Sequence, residues 1–210
     1  MAMHPPTRSP IRAPLRARVL AGVLAGWVLA GQSGTVQAQA VPQRAQTQER
    51  AERPELGVLP DARAGSPVRL RVWGFEVYDA RLWTLAGFDP QRLAEHAFAL
   101  ELVYLRRLQG AAIAQRSIEE MQRLSDLATG QREQWQERLR QLLPDVSAGD
   151  RLTGVHWPGR GAEFWHNGRR LGQIEDVRLA SLFFGIWLDE KTSEPGLRAQ
   201  MLRGLQGSRP

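Results

Sequence analysis

The chain has no cysteine among its 210 residues. That excludes disulfides, thiolate metal sites, a catalytic thiol and lipid attachment through cysteine. Lysine is nearly absent as well, with Lys191 alone against 27 arginines, a bias that carries no functional weight by itself. No excess of one charge survives inspection. The formal net charge is +6, but Arg8, Arg12, Arg16 and Arg18 lie in the first 40 positions, which hold no acid. The remainder has 24 basic against 22 acidic residues and points to no polyanion, so no nucleic acid is expected as a partner. The usual catalytic signatures are missing too: no Gly-rich phosphate cradle, no G-x-S-x-G, no H-E-x-x-H and no spaced acidic loop for calcium. Adjacent carboxylates at Glu119-Glu120, Glu175-Asp176 and Asp189-Glu190 diverge on a helix or strand and read as solvated faces or caps. What remains is 42% apolar and 24% charged, a globular composition of a length suited to one ordinary domain.

Arginines, then the apolar run Val19 to Ala30, then small and polar residues ending in Ala38-Gln39-Ala40 give the order of a secretory signal peptide. The run is too short to cross ~30 Å of hydrocarbon as a helix, so no membrane span is expected in the mature protein. Residues 1–40 are therefore expected to be removed on export, placing the mature protein in the periplasm of a Gram-negative source. Residues 41–55 are polar and aperiodic, the composition of a flexible tail. The folded domain is expected over 56–207.

Within it, Val68 to Trp73 alternates apolar and charged residues, as a strand with one wet face does. Gly74 marks a turn or bulge. Phe75 to Trp83 alternates again, which puts Phe75, Val77, Asp79, Arg81 and Trp83 on one face and Glu76, Tyr78, Ala80 and Leu82 on the other. Asp89-Pro90 is a helix-start signal, and Ala97 to Leu105 reads as a third strand. Two helices follow, over Ala111 to Leu127 and Gln131 to Leu143. Leu152 to Trp157, Ala162 to His166 and Arg169 to Ile174 are strands, the first two separated by a Pro-Gly-Arg-Gly loop and the last two joined at Asn167-Gly168 by a two-residue hairpin turn. Val177 to Leu188 is apolar nearly all round, hence a buried helix, and Leu197, Met201, Leu202 and Leu205 mark a short closing helix. Strands, helices, strands, helices in that order predict an α+β fold.

Three constellations could carry chemistry. His156 and His166 lie on one hairpin, but a four-residue loop at 158–161 would point them to opposite faces. Two histidines alone are in any case an incomplete metal site, so no metal is expected. Trp157, Trp165 and Trp187 could stack on a ligand or fill the core. Arg69 and Arg71 share a strand face beside the strand carrying Tyr78. An arginine fork and a phenol facing an apolar cavity would hold a carboxylate or an enolate oxygen, whereas the same arginines on an exposed sheet face would do nothing of the kind.

The phrases LRVWGFEVYDARLW, FALELVYLRRL, SIEEM, LLPDVSAGDRLTGVHWPGRGAEFWHNGRRLG and FFGIWLDEKTSEPGLRAQMLRGL together resemble the chalcone isomerase-like family, in particular its bacterial secreted branch, over roughly Leu56 to Leu205. The resemblance implies a large curved antiparallel sheet with a layer of α-helices on one face and a ligand cleft between. Plant members cyclise chalcones to flavanones, whereas related plastid members bind fatty acids through an arginine and a tyrosine. Arg69 is the best match to the family arginine and Arg71 the second. Tyr78 stands where the isomerases carry a threonine, so the hydroxyl set for catalysis is incomplete. The expectation is a non-catalytic protein without cofactor, binding an acidic apolar small molecule such as a fatty acid. Arg69, Tyr78 and Arg71 would hold its head, and Phe183, Phe184 and Trp187 would wall the cleft. An intramolecular lyase acting on an α,β-unsaturated carbonyl and a periplasmic interaction module are the alternatives.

Overall fold

In the computed structural model the described residues are 52–206. The segment expected as a signal peptide and most of the expected tail lie outside them. Seven strands form one open, curved antiparallel sheet. They are β1 (Arg63–Ala64), β2 (Val68–Val72), β3 (Phe75–Thr84), β4 (Phe98–Tyr104), β5 (Arg151–Trp157), β6 (Gly161–His166) and β7 (Arg169–Ile174). The short β1 and β2 both pair with β3, after which the order runs β4, β5, β6, β7. Four α-helices occur among the described residues: α1 (Gly110–Leu124), α2 (Thr129–Leu142), α3 (Val177–Leu188) and α4 (Pro195–Gln206). The Asp89-Pro90 signal starts no α-helix. The Asp89 carboxylate accepts from the Gln91 backbone N–H at 2.9 Å, and only a single 3-10 turn follows at Leu93–Glu95.

The helices cover one face of the sheet because alternate strand residues are apolar there. Ala80, Leu82, Phe98, Leu100, Leu102, Leu152 and Phe164 meet Met121, Leu139, Leu179, Phe183 and Phe184 in one continuous core. Asp176 fixes where α3 begins: one carboxylate oxygen accepts from the Leu179 backbone N–H at 3.0 Å, the other from the Trp135 indole of α2 at 2.9 Å. The opposite face carries a second, smaller apolar cluster of Leu56, Leu59, Ala62, Trp83, Ala99 and Val155. Beside that cluster runs an ion network. Arg53 pairs with Glu101 at 2.5 Å, Arg151 with Glu55 at 2.9 Å, and the Thr153 hydroxyl donates to Glu55 at 3.1 Å. Residues 53–55, expected in the tail, are therefore docked on the sheet, and a 3-10 turn at Pro54–Val58 begins the domain.

Both two-residue hairpins use turns with positive φ at both central residues, Asn167 (50°) with Gly168 (81°) and Trp73 (50°) with Gly74 (82°). The first is the Asn-Gly signal of the sequence; the second puts a tryptophan in the left-handed region that Asn, Asp or Gly ordinarily occupies. In the β2–β3 hairpin the pairing starts as Val72 with Phe75 and Arg71 with Glu76, then slips by one residue so that Leu70 faces Tyr78 and Arg69 faces Asp79. Val77 is the extra residue of this bulge. It breaks the strict alternation expected for β3: Glu76 joins the Arg69–Asp79 side, and Phe75 leaves it for the side of Val72 and Leu70.

The β5–β6 loop also differs from expectation. Trp157 pairs with Gly161 across a three-residue connection, so Leu152 faces His166. Both histidines consequently point to the helix side, but four strand positions apart, about 13 Å at ~3.3 Å per residue. They share no site, and no cluster of metal-ligating side chains occurs among the described residues. His156 is instead a core residue, 2% exposed, stacked on Phe98 at 4.9 Å and edge-on to Phe184. Its Nδ1–H donates to the His96 carbonyl at 2.9 Å. Burial pushes its pKa below the ordinary histidine value. The unfolded chain then binds the proton first as pH falls, and stability should be lost from about pH 6.5 downward, by at most ~1.4 kcal/mol per pH unit. Denaturant melts at pH 7.5 and 5.5 should show a larger drop in the wild type than in His156→Asn.

Candidate functional site

A cavity of about 370 Å³ opens between the β2–β3 end of the sheet, α1, α3 and the loop ahead of α4. That is within the range of small-molecule sites. Leu102, Leu108, Leu152, Ile113 and Phe183 supply apolar walls. The β2–β3 hairpin contributes Leu70, Val72, Trp73, Phe75 and Tyr78, and Trp187 and Ile186 come from α3. Phe183 and Trp187 are four residues apart and therefore share one stripe of α3. Phe184, the third expected wall residue, points about 100° away and does not line the cavity. It packs in the core against Phe98, His156 and Phe164.

Polar groups in the cavity are few. Tyr78 and Tyr104 are directly opposite on β3 and β4, with ring centroids 5.9 Å apart and edge-on. The Trp187 indole donates to the Tyr78 hydroxyl at 2.8 Å, which leaves the phenol proton free to donate. Burial pushes the Tyr78 phenol well above its ordinary pKa against the opposing effect of that hydrogen bond, and burial raises Tyr104 likewise. Both are neutral donors at any physiological pH. On α1, Glu120 pairs with Arg116 and, at 3.4 Å, with Arg123, so Arg116 faces the cavity already neutralised. Arg106 differs. It lines the cavity, lies over the Phe75 ring at 5.5 Å, and makes no ion pair among the described residues.

Arg69 and Arg71 are not part of this site. Tyr78 faces the helices while its neighbour Asp79 faces away, and the register puts Arg69 opposite Asp79. There the Arg69 guanidinium donates to Asp79 at 2.7 and 2.9 Å and to Glu76 at 2.9 Å, and Arg71 donates to Glu76 at 2.8 Å. The Arg69 hydrogen bonds hold Asp79 and Glu76 below the usual carboxylate range, and Asp79 and then Glu76 raise Arg69 further. This is a closed ion cluster on the sheet's far side. Trp157 and Trp165 also lie with that far-side cluster, so the three tryptophans do not converge.

The sequence reading thus missed Tyr104, Arg106, Arg116 and Glu120. Only Tyr104 and Arg106 had a signal. Continuing the alternation Phe98, Leu100, Leu102 by two-residue steps reaches Tyr104 and then Arg106.

An antiparallel sheet with helices on one face, and an apolar cavity between them fitted with a few donors, defines an α+β protein with an open cleft. The residues from 64 to 203 match the family described as chalcone isomerase-like, and the chain belongs to that family. Among solved structures, a fatty-acid binding protein of Arabidopsis thaliana superposes with a TM-score of 0.51 at 11% sequence identity, over 68% of this chain and 87% of that one. The likeness is one of fold. No curated protein matches the chain in sequence.

Proposed function

We propose that this protein is a non-catalytic binder of a small apolar acid of the fatty-acid kind, acting outside the cytoplasm after export. The observation that carries the reading is the cavity itself. Its walls are aliphatic and aromatic, and its polar lining is Tyr78, Tyr104, Ser117, Ser193, Glu194, the Arg116–Glu120 pair and Arg106, which makes no ion pair among the described residues. An alkyl chain gains about 0.8 kcal/mol per buried CH₂ in such a site. A carboxylate then finds in Arg106 a charge-assisted partner and in Tyr78 and Tyr104 two further donors. The Arabidopsis neighbour, a fatty-acid binding protein, supports the ligand class. The charged, apolar and small-residue order of residues 1–40 supports export, and no helix among the described residues is long and apolar enough to cross a membrane.

Native mass spectrometry of protein purified from its own source, followed by denaturing extraction, tests this. A co-purifying carboxylic acid at near-stoichiometric amount is expected, together with saturable uptake of a fluorescent fatty acid by the emptied protein. An empty protein that takes up no fatty acid would overturn the reading. Two phenol donors lining one cavity would also polarise a ketone. Turnover of an α,β-unsaturated ketone that Tyr78→Phe removes would therefore move the protein to the catalytic side of its family.

A further inference from the structure

The tip of the β2–β3 hairpin is apolar where a soluble protein ordinarily puts polar turn residues. Trp73 is 95% exposed, Phe75 63% and Val72 41%. Trp73 also sits at φ 50°, a conformation that Asn or Gly adopts more readily, so neither backbone preference nor core packing accounts for a tryptophan here. The same three residues line the opening of the cavity. Basic groups flank them. Arg106 lies over the Phe75 ring, and the exposed Arg107 follows it with no ion pair or hydrogen bond among the described residues. An exposed indole beside arginines matches an anionic bilayer: the ring suits the headgroup boundary and the guanidinium groups suit the lipid phosphates.

We infer that the Val72–Phe75 tip docks this protein on an anionic lipid surface, with the cavity mouth against the membrane so that an apolar acid passes between bilayer and cavity without crossing water. The inference rests on the ligand reading above for the cargo, but the docking itself is separable from it. The tip enters the interface as an anchor of three side chains, with Arg107 on phosphate. Charge complementarity and continuity with the cavity mouth favour a lipid surface over a protein partner.

Co-sedimentation of the full chain with phosphatidylglycerol/phosphatidylcholine vesicles, and with phosphatidylcholine alone, decides it. The informative variant is Trp73→Asn, which creates the Asn-Gly turn that this geometry prefers and so leaves a fold at least as stable, as a thermal melt verifies. Trp73→Asn should weaken partition onto the anionic vesicles by about tenfold or more. Arg107→Gln should weaken it about fivefold on anionic vesicles only. Partition unchanged by Trp73→Asn, or equal on both vesicle types, would overturn the inference. So would absent vesicle binding with self-association that Trp73→Asn abolishes, which would assign the tip to a second copy. Uptake of the fluorescent fatty acid by the wild type without vesicles is scored separately. Its failure with vesicle docking intact would remove the ligand reading and leave the docking surface.

Discussion

Arg106→Ala should weaken binding of a fluorescent fatty acid ten- to a hundredfold, while Arg69→Ala leaves it within about twofold of wild type. The first figure follows from a charge-assisted hydrogen bond to a carboxylate, about 1.5–3 kcal/mol, at 1.4 kcal/mol per decade. The second follows from geometry. Arg69 lies on the far side of the sheet, committed to Asp79 and Glu76. A neutral methyl ester of the same chain length should bind Arg106→Ala and wild type alike, because its head never required the cation. Equal loss for acid and ester would show that Arg106 acts by shaping the cavity rather than by charge. A large effect of Arg69→Ala would mean that the ligand sits elsewhere altogether.

The contrast between these arginines shows what a one-residue bulge does. Continuing the hairpin from the Trp73-Gly74 turn without interruption would have placed Arg69 directly opposite Tyr78, on one face with it, since directly opposed residues share a face. Val77 inserts an extra residue, and Arg69 moves to Asp79 and the other face. Nothing in Phe75-Glu76-Val77-Tyr78 announces the insertion, because apolar and polar residues still alternate through it. Period two tells which residues travel together, never which face they turn to. The arginine pair was rightly read as sharing a face, yet its face could be fixed only by a register that depends on the partner strand.

Elements whose signal is local were legible for the opposite reason. The Asn167-Gly168 turn, the α1 and α2 stripes and the apolar α3 are each set by residues within a few positions of one another, and each occurs within a few residues of its expected bounds. The docking of residues 53–55 was not legible. Glu55 and Arg53 find their partners Arg151 and Glu101 at separations of 96 and 48 residues, and a charged segment with distant partners looks in sequence like a solvated tail. The cavity failed to show for a similar reason. Its cation and its second phenol come from β4 and the bend after it, its walls from α1 and α3, and only the folded sheet brings them together.

That far-side ion network should in turn be the most sensitive charged feature of the fold. Arg151 donates to Glu55 at 2.9 Å and to the Glu52 carbonyl at 3.1 Å, and lies 3.6 Å from Glu101, so one guanidinium serves two carboxylates that water does not reach. One oxygen of Glu55 has no hydrogen-bond partner even in the intact network, which makes the remaining partner of that carboxylate matter more. Arg151→Ala leaves Glu55 with only the Thr153 hydroxyl, and breaking a buried pair from one side costs about 3–5 kcal/mol. For a domain of this size that is a fall in Tm of very roughly 6–20 °C. Arg53→Ala should cost less, since Glu101 still has Arg151 nearby. The decisive comparison is the double change Arg151→Met, Glu55→Gln, which removes the orphaned charge along with the cation while Glu101 keeps Arg53. Recovery of at least half the lost stability would show that the damage in Arg151→Ala is the stranded Glu55 carboxylate. No recovery would mean that Arg151 acts mainly by pinning the 52–55 segment through the Glu52 carbonyl, and the proteolytic sensitivity of that segment would then track Arg151 alone.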